Sequence, residues 1–271
     1  MDLINSMHRA EFIKRMVAGL SFSTLPSYIL AQETKPSAAD EQSPETLAKE
    51  TKEADASPVE TPPAVNEVIR KPHFVNSGPG FGNRVALTYD DGPTPDVTDV
   101  ILEELARRKL RATFFMIGNK IKAYPSLAKE VAAAGHEIAN HTLTHPKLNR
   151  LSEKRVDYEI KKTQEIMQDV IGKNPVWFRP PYGAFRKNQG SIPMQHDLGI
   201  AYWSVDPRDW AKPGTKHIIT HISKRTTAGS IILLHDLHKQ TAQATPGVLD
   251  QLQEQAFNLT TMSGFLGHPY A

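Results

Sequence analysis

From about Phe74 onward, short apolar runs alternate with amphipathic stretches. Runs rich in β-branched and aromatic residues, bounded by polar or turn-forming ones, predict strands at 85–89, 112–117, 137–140, 176–179, 200–205, 230–234 and 257–261. Helical spacing fills the gaps. Residues 95–108 set Val97, Val100, Ile101 and Leu105 on one face, and 125–134 stops at Gly135. Residues 152–171 begin at the capping residue Ser152 and stop at Gly172. Two further helices are predicted at 215–226, ending near Gly229, and at 245–256, with Pro246 in its first turn. Strands alternating with helices imply a parallel sheet of βα units. Seven strands in about 190 residues imply a closure smaller than the eight-stranded barrel of about 250 residues.

Upstream the pattern differs. Arg9, Lys14 and Arg15 precede an uncharged, mostly apolar stretch at 16–30 and then Ala31, the layout of an export signal cleaved after Ala31. A bilayer span needs about 20 apolar residues, so no transmembrane span is expected in the mature chain. Residues 32–72 contain no Phe, Trp or Tyr and six prolines, and they carry nine acidic groups against five basic ones. Such a stretch buries too little apolar area to offset chain entropy and is predicted to be a disordered tether. The remaining segment, 73–271, is the expected folded domain. An exported chain of this kind works in the periplasm, the cell envelope or outside the cell.

Charge and composition remove several classes. The formal net charge is +2 over 271 residues, without the dense Lys/Arg stripe of a nucleic-acid binder. There is no cysteine, which excludes disulfides, thiolate catalysis and Cys-ligated zinc.

The polar residues with chemical capacity fall at the carboxyl ends of the predicted strands. Asp90 and Asp91 follow the first, His141 and His145 the third, and Arg179 closes the fourth. Asp206 and Asp209 follow the fifth, and His235 and Asp236 the sixth. In parallel βα architectures those ends form one rim, where active sites are built. His141 and His145 are four apart, the spacing of one side of a helical turn. His217 and His221 share that spacing but sit mid-helix without a nearby acid, as an exposed face would. Two imidazoles with one carboxylate of the Asp90–Asp91 pair suit Zn²⁺ or a similar divalent ion with open positions. The second carboxylate is then free to take a proton from water acidified by the ion.

Five segments carry a resemblance: Thr88-Tyr-Asp-Asp-Gly-Pro93, His141-Thr-Leu-Thr-His145, Arg179-Pro-Pro-Tyr-Gly183, Asp206-Pro-Arg-Asp-Trp210 and Leu233-Leu-His-Asp236. In order and over residues 84–262 they resemble the motifs of the NodB-homology polysaccharide deacetylases, carbohydrate esterase family 4. Tyr89 departs from the usual Phe. The resemblance implies an α/β fold, a distorted (β/α)7 barrel, and a polysaccharide substrate containing N-acetylglucosamine. It implies that Asp91, His141 and His145 bind the metal, with Zn²⁺ first and Co²⁺ also suited. Asp90 would be the general base held by Arg179, and His235 the general acid kept charged by Asp209. The Tyr182 backbone N–H would stabilise the oxyanion, and Trp210 and Leu233 would receive the acetyl methyl. Peptidoglycan is the first expected substrate and chitin or chitooligosaccharide the next. Alternatives are an O-acetyl xylan esterase and a non-catalytic carbohydrate binder. Trp177 and Trp203 are expected in the core, His136 in a structural hydrogen bond, and Asp206 in loop support. Substrate choice is expected to lie in loops 187–195 and 239–245.

Overall fold

The computed structural model describes residues 71–267 and Pro269; the predicted export signal and all but the last two residues of the predicted tether lie outside them. Eight strands make one sheet: β1 (Phe74–Val75), β2 (Arg84–Asp90), β3 (Thr113–Met116), β4 (Glu137–Asn140), β5 (Trp177–Phe178), β6 (Gly199–Ala201), β7 (Ile231–His235) and β8 (Asn258–Thr260). Among the described residues the eight α-helices are α1 (Thr98–Arg107), α2 (Gly118–Ala123), α3 (Pro125–Ala133), α4 (Glu153–Ile171), α5 (Ser191–Gln195), α6 (Thr215–Arg225), α7 (Lys239–Glu254) and α8 (Met262–Leu266). The strand order is β1-β6-β5-β4-β3-β2-β7, and every strand pair is parallel. β8 pairs with the first half of β2, Arg84–Ala86, while β3 pairs with its second half, Thr88–Asp90.

A narrow seam closes the curled sheet into a distorted barrel. Beyond β6 only Val205 bridges β7, at Ile232. The Ser204 and Val205 N–H groups both reach the Ile231 carbonyl, at 3.0 and 3.1 Å, and Leu233 N–H reaches the Val205 carbonyl at 2.9 Å. The fifth predicted strand, 200–205, is therefore cut short to β6. The buried Arg179 guanidinium takes the carbonyls of Ala201 (3.3 Å) and Tyr202 (3.0 Å), acceptors a regular ladder would have used.

Alternation along the strands sorts core from site. Val85, Leu87 and Tyr89 of β2 join Phe114, Met116, Ile232 and Leu234 in the layer beneath the helices. Their neighbours Ala86, Phe115 and Ile231 point inward with Trp177, where Met262 and Phe265 of α8 pack with them. Continuing the inward series along β2 and β7 gives Thr88 then Asp90, and Leu233 then His235. The same period that packs the barrel thus delivers the polar rim.

The helices follow their predicted signals in part. α4 starts after Ser152, whose hydroxyl accepts the Arg155 N–H, and stops at Gly172 with φ +73°. α1 starts at Thr98 rather than Pro95, because Thr98 Oγ1 accepts the Thr94 N–H (2.8 Å) and donates to Asp236 (2.7 Å). α7 begins at Lys239 and runs through Pro246. Burial of Thr241, Ala242, Ala244 and Thr245, and a 2.6 Å bond from the Thr241 hydroxyl to Asp209, outweigh the interior-proline penalty of about 3 kcal/mol. Residues 239–245 are consequently helix, not loop. Among the described residues no helix is long and apolar enough to cross a membrane.

Candidate active site

Asp90 is the last residue of β2, and the chain turns at Asp91 with φ +76°. A Cβ on Gly92 would collide with the Asp236 carboxylate, so only glycine fits behind this turn. Asp236 is fully buried, accepts from the Thr98 hydroxyl and is pushed up to about 7, by burial first and then by the neighbouring Asp91 charge.

His141 and His145 do not lie on a helical turn. Thr142 and His145 have φ of +68° and +60°, and the segment is an irregular loop tied on several sides. Glu159 of α4, wholly buried, accepts the Leu143 N–H (3.0 Å), the Thr144 N–H (2.8 Å) and the Thr144 hydroxyl (2.9 Å). Asn140 Oδ1 accepts the Thr142 N–H at 2.9 Å, and Thr142 Oγ1 accepts the His145 N–H at 3.1 Å. Glu159 positions a loop it does not belong to; in the sequence it is only another buried position of an amphipathic helix.

The loop brings both imidazoles onto Asp91. Asp91 Oδ1 is 3.4 Å from His141 Nε2 and 3.1 Å from His145 Nε2, and one ligand atom from each residue fits within a 4.8 Å group. His141 Nδ1 lies 2.8 Å from the Arg179 carbonyl, which can only accept, so Nδ1 carries the proton and Nε2 presents its lone pair. His145 Nδ1 is 3.1 Å from the Tyr182 hydroxyl. Asp91 Oδ1 is buried without a hydrogen-bond donor. A buried carboxylate oxygen facing imidazole nitrogens with no donor between them is an arrangement a cation relieves, and the donor set fits zinc-type ions. Burial works to raise the Asp91 carboxyl, but the two imidazoles in their protonated form outweigh it and hold the group well below the usual carboxylate range.

Beside this triad, Asp90 Oδ1 accepts from Arg179 Nη1 at 2.6 Å, while Oδ2 lies 3.7 Å from His141 Nε2. The same Nη1 donates to Thr88 Oγ1 (2.9 Å), and the guanidinium carbon sits 3.9 Å from the Phe115 ring centroid. Arg179 is thus fixed on every side. Burial lowers its pKa, and Asp90 opposes that.

Across the cavity, His235 Nδ1 lies 2.7 Å from Asp209 Oδ1. Asp209 also accepts the His235 N–H (2.9 Å), the Thr241 hydroxyl (2.6 Å) and the Trp210 N–H (3.1 Å). Burial alone would depress the imidazolium; the bond and charge of Asp209, with Asp90 and Asp91, push it up to about 9. His235 is therefore protonated at neutral pH.

Asp90, Asp91, His141, His145 and His235 line one cavity of about 350 Å³ with Tyr182, Trp203, Asp206, Trp210 and Leu233, while Arg179 and Asp209 are buried behind them. Tyr182, at φ +59°, is 62% exposed and Trp210 46%; Leu233 is buried. Trp177 is core, as expected, and His136 Nδ1 accepts the Ala112 N–H at 3.2 Å. Trp203 is half-buried past the end of β6; it packs against the inner core and also walls the cavity. Asp206 Oδ1 accepts the Arg208 N–H at 2.7 Å, which supports the loop. Neither 187–195 nor 239–245 reaches the cavity wall. His217 and His221 face out from α6, their rings 5.7 Å apart.

Residues 78–203 match the family model described as polysaccharide deacetylase. The chain is 36% identical over 179 residues to the peptidoglycan-N-acetylmuramic acid deacetylase PdaC of Bacillus subtilis (strain 168), covering 66% of this chain and 38% of that protein. It therefore spans well under half the length of that relative. It is 35% identical over 192 residues to a chitooligosaccharide deacetylase of Rhizobium leguminosarum bv. trifolii, covering 66% of this chain and 89% of that protein. The solved structure of the Bc1960 peptidoglycan N-acetylglucosamine deacetylase matches with a TM-score of 0.69 at 33% identity, over 71% of this chain and 92% of that one. The chain belongs to the polysaccharide deacetylase family, the NodB-homology domains of carbohydrate esterase family 4.

Proposed function

We propose that this chain is an exported, metal-dependent hydrolase that removes N-acetyl groups from N-acetylglucosamine residues of an envelope polysaccharide, with peptidoglycan ahead of chitin or chitooligosaccharide. One observation carries the reading: an arginine-held carboxylate, an aspartate-held imidazolium and a carboxylate–imidazole triad share a single cavity.

Asp91, His141 and His145 are the residues that would hold the ion. When bound, it supplies a Lewis acid that lowers the pKa of a ligated water to about 7 and polarises a carbonyl. Asp90 spends Oδ1 on Arg179, which leaves Oδ2 to take the proton of the attacking water. The amide nitrogen is a poor leaving group and must be protonated as the C–N bond breaks. His235 is charged for that task and delivers its proton from Nε2, the nitrogen not bonded to Asp209. One water is consumed and acetate and a free amine result; the proton held by Asp90 returns to His235. We assign the oxyanion contact to the Tyr182 backbone N–H and the methyl pocket to Leu233 and Trp210. Losing one such oxyanion donor costs about 3–4 kcal/mol elsewhere.

The test is acetate release from peptidoglycan, chitooligosaccharides and acetylated xylan, run in parallel after chelation and after return of Zn²⁺ or Co²⁺. Metal-restored release from the N-acetylated glycans is expected. Release from xylan alone, or release indifferent to chelation, refutes the proposal.

A further inference from the structure

Two cations rest on the aromatic rings that border the cavity. Lys147 Nζ lies 5.5 Å from the centroid of the Tyr182 ring, and Arg208 Cζ lies 5.1 Å from that of Trp210. Both side chains are exposed, and among the described residues neither has an ion-pair partner. They come from different loops, after β4 and after β6, yet both are parked on rings that line the cavity. Arg208 also occupies φ +55°, a conformation a glycine or asparagine adopts with less strain. A long cation is kept there at a conformational cost.

Inside the cavity the carboxylates of the machinery already have partners. Asp90 faces Arg179, Asp209 faces His235, and Asp91 faces the two imidazoles. The remaining carboxylate, Asp206, is turned back onto the Arg208 N–H. Lys147 and Arg208 are thus positive charges at the mouth that the machinery does not use. A neutral N-acetylglucosamine chain has nothing to offer them, whereas a glycan bearing carboxylates does.

We infer that Lys147 and Arg208 are specificity-determining residues that select a carboxylate-bearing glycan over a neutral one. The inference rests on the deacetylase reading of this same site and adds the substrate's charge to it. The carboxylate has two sources in peptidoglycan, the lactyl group of a peptide-free strand and the stem peptide of an intact one.

The test compares kcat/KM on three substrates of matched length: neutral chitooligosaccharide, peptide-free glycan and glycan with stem peptides. Wild type should favour at least one charged glycan. That preference should fall several-fold between about 20 and 300 mM salt, as the screening length shrinks from about 20 to about 6 Å. In Lys147→Gln/Arg208→Gln the charged-to-neutral ratio should drop about 4- to 25-fold, about 2- to 5-fold per exposed charge, mainly through KM. In Lys147→Glu/Arg208→Glu added salt should raise activity on the charged glycan, a reversal that a packing role for these side chains would not produce. Whichever charged substrate loses its advantage identifies the source. Equal losses on charged and neutral glycans, or no salt dependence in wild type, overturn the inference while leaving the deacetylase reading intact. Absence of acetate release from every glycan sinks both.

Discussion

Asp209→Asn removes the charge that keeps His235 protonated while leaving the side chain's outline in place. With Asp209, His235 is pushed up to about 9; without it, burial is opposed only by the Asp90 and Asp91 charges, and the imidazole falls back toward its ordinary 6.5. That change is worth about 3 kcal/mol at 1.36 kcal/mol per pH unit. At pH 8 the protonated fraction falls from about nine-tenths to about 3%, so kcat/KM should drop about 30-fold, and acidification should recover part of it. Asparagine adds a structural cost. All four bonds to Asp209 come from donors (the His235 ring and backbone, the Thr241 hydroxyl and the Trp210 N–H), and one carboxamide oxygen cannot serve both pairs. Each orphaned donor costs about 1–3 kcal/mol. Stability carries its own signature. The folded His235 value lies above the unfolded one, so its contribution is complete below about pH 6.5 and disappears as pH rises through about 9. Wild type should lose that increment in alkaline melts and the variant should not. The assay is a pH profile of kcat/KM on a chitooligosaccharide, with thermal melts at each pH. An alkaline limb that stays at its wild-type position in a cooperatively folded Asp209→Asn protein refutes the assignment of His235 as acid.

Four further outcomes are expected. Asp90→Asn keeps an acceptor for Arg179 but no proton acceptor for water, so acetate release should fall about 10²–10⁴-fold with metal content unchanged by elemental analysis; near-normal turnover would remove Asp90 from the base role. His141→Ala should lose both bound metal and activity, and chelation of wild type should reproduce the loss reversibly; full metal occupancy in the variant would break the ligand set. Arg179→Met strands the buried Asp90 charge and the carbonyls of Ala201 and Tyr202, so urea unfolding should register about 3–5 kcal/mol of destabilisation, and a loss below about 1 kcal/mol would contradict the packing described. Tyr89→Phe removes a buried hydroxyl that lies near Thr245 without a well-formed hydrogen bond, and should hold or raise the melting temperature; a clear drop would mean that the hydroxyl is bonded.

The barrel is legible because period-2 alternation in β2 and β7 marks both the inner core and the rim. Val85, Leu87 and Tyr89 face the helices, while Ala86, Thr88 and Asp90 run up the inside. Two-residue β1 is too short to show any period, and its partner residues in β6 are read as an ordinary strand. The truncation of β6 was invisible for another reason: it depends on Arg179, whose hydrogen bonds to Ala201 and Tyr202 span more than twenty positions. The same guanidinium leaves Trp203 outside the ladder, where it touches both the inner core and the cavity.

The geometry of the triad is the part that spacing misrepresents. A spacing of four between imidazoles matches a helical turn, yet His141 and His145 meet through a loop in which Thr142 and His145 are both left-handed. With Asp91, Tyr182 and, at the mouth, Arg208, five non-glycine residues around the cavity adopt positive φ, at about 1–3 kcal/mol each where such strain is stored. The compensation comes from elsewhere in the chain: Glu159 gathers the Leu143 and Thr144 amides, Asn140 takes Thr142, and Asp236 closes behind Gly92. In the sequence Glu159 is one buried position among several on α4, and Asp236 is only the residue after His235. Local propensity argues against a loop of this shape, and buried acceptors override it. Glu159→Leu should therefore damage metal affinity before it damages the fold, because a leucine fills the space but leaves the Leu143 and Thr144 amides unpaired and the loop free to relax. Metal titration followed by calorimetry on that variant tests the point; affinity equal to wild type would show that the loop holds its shape without Glu159.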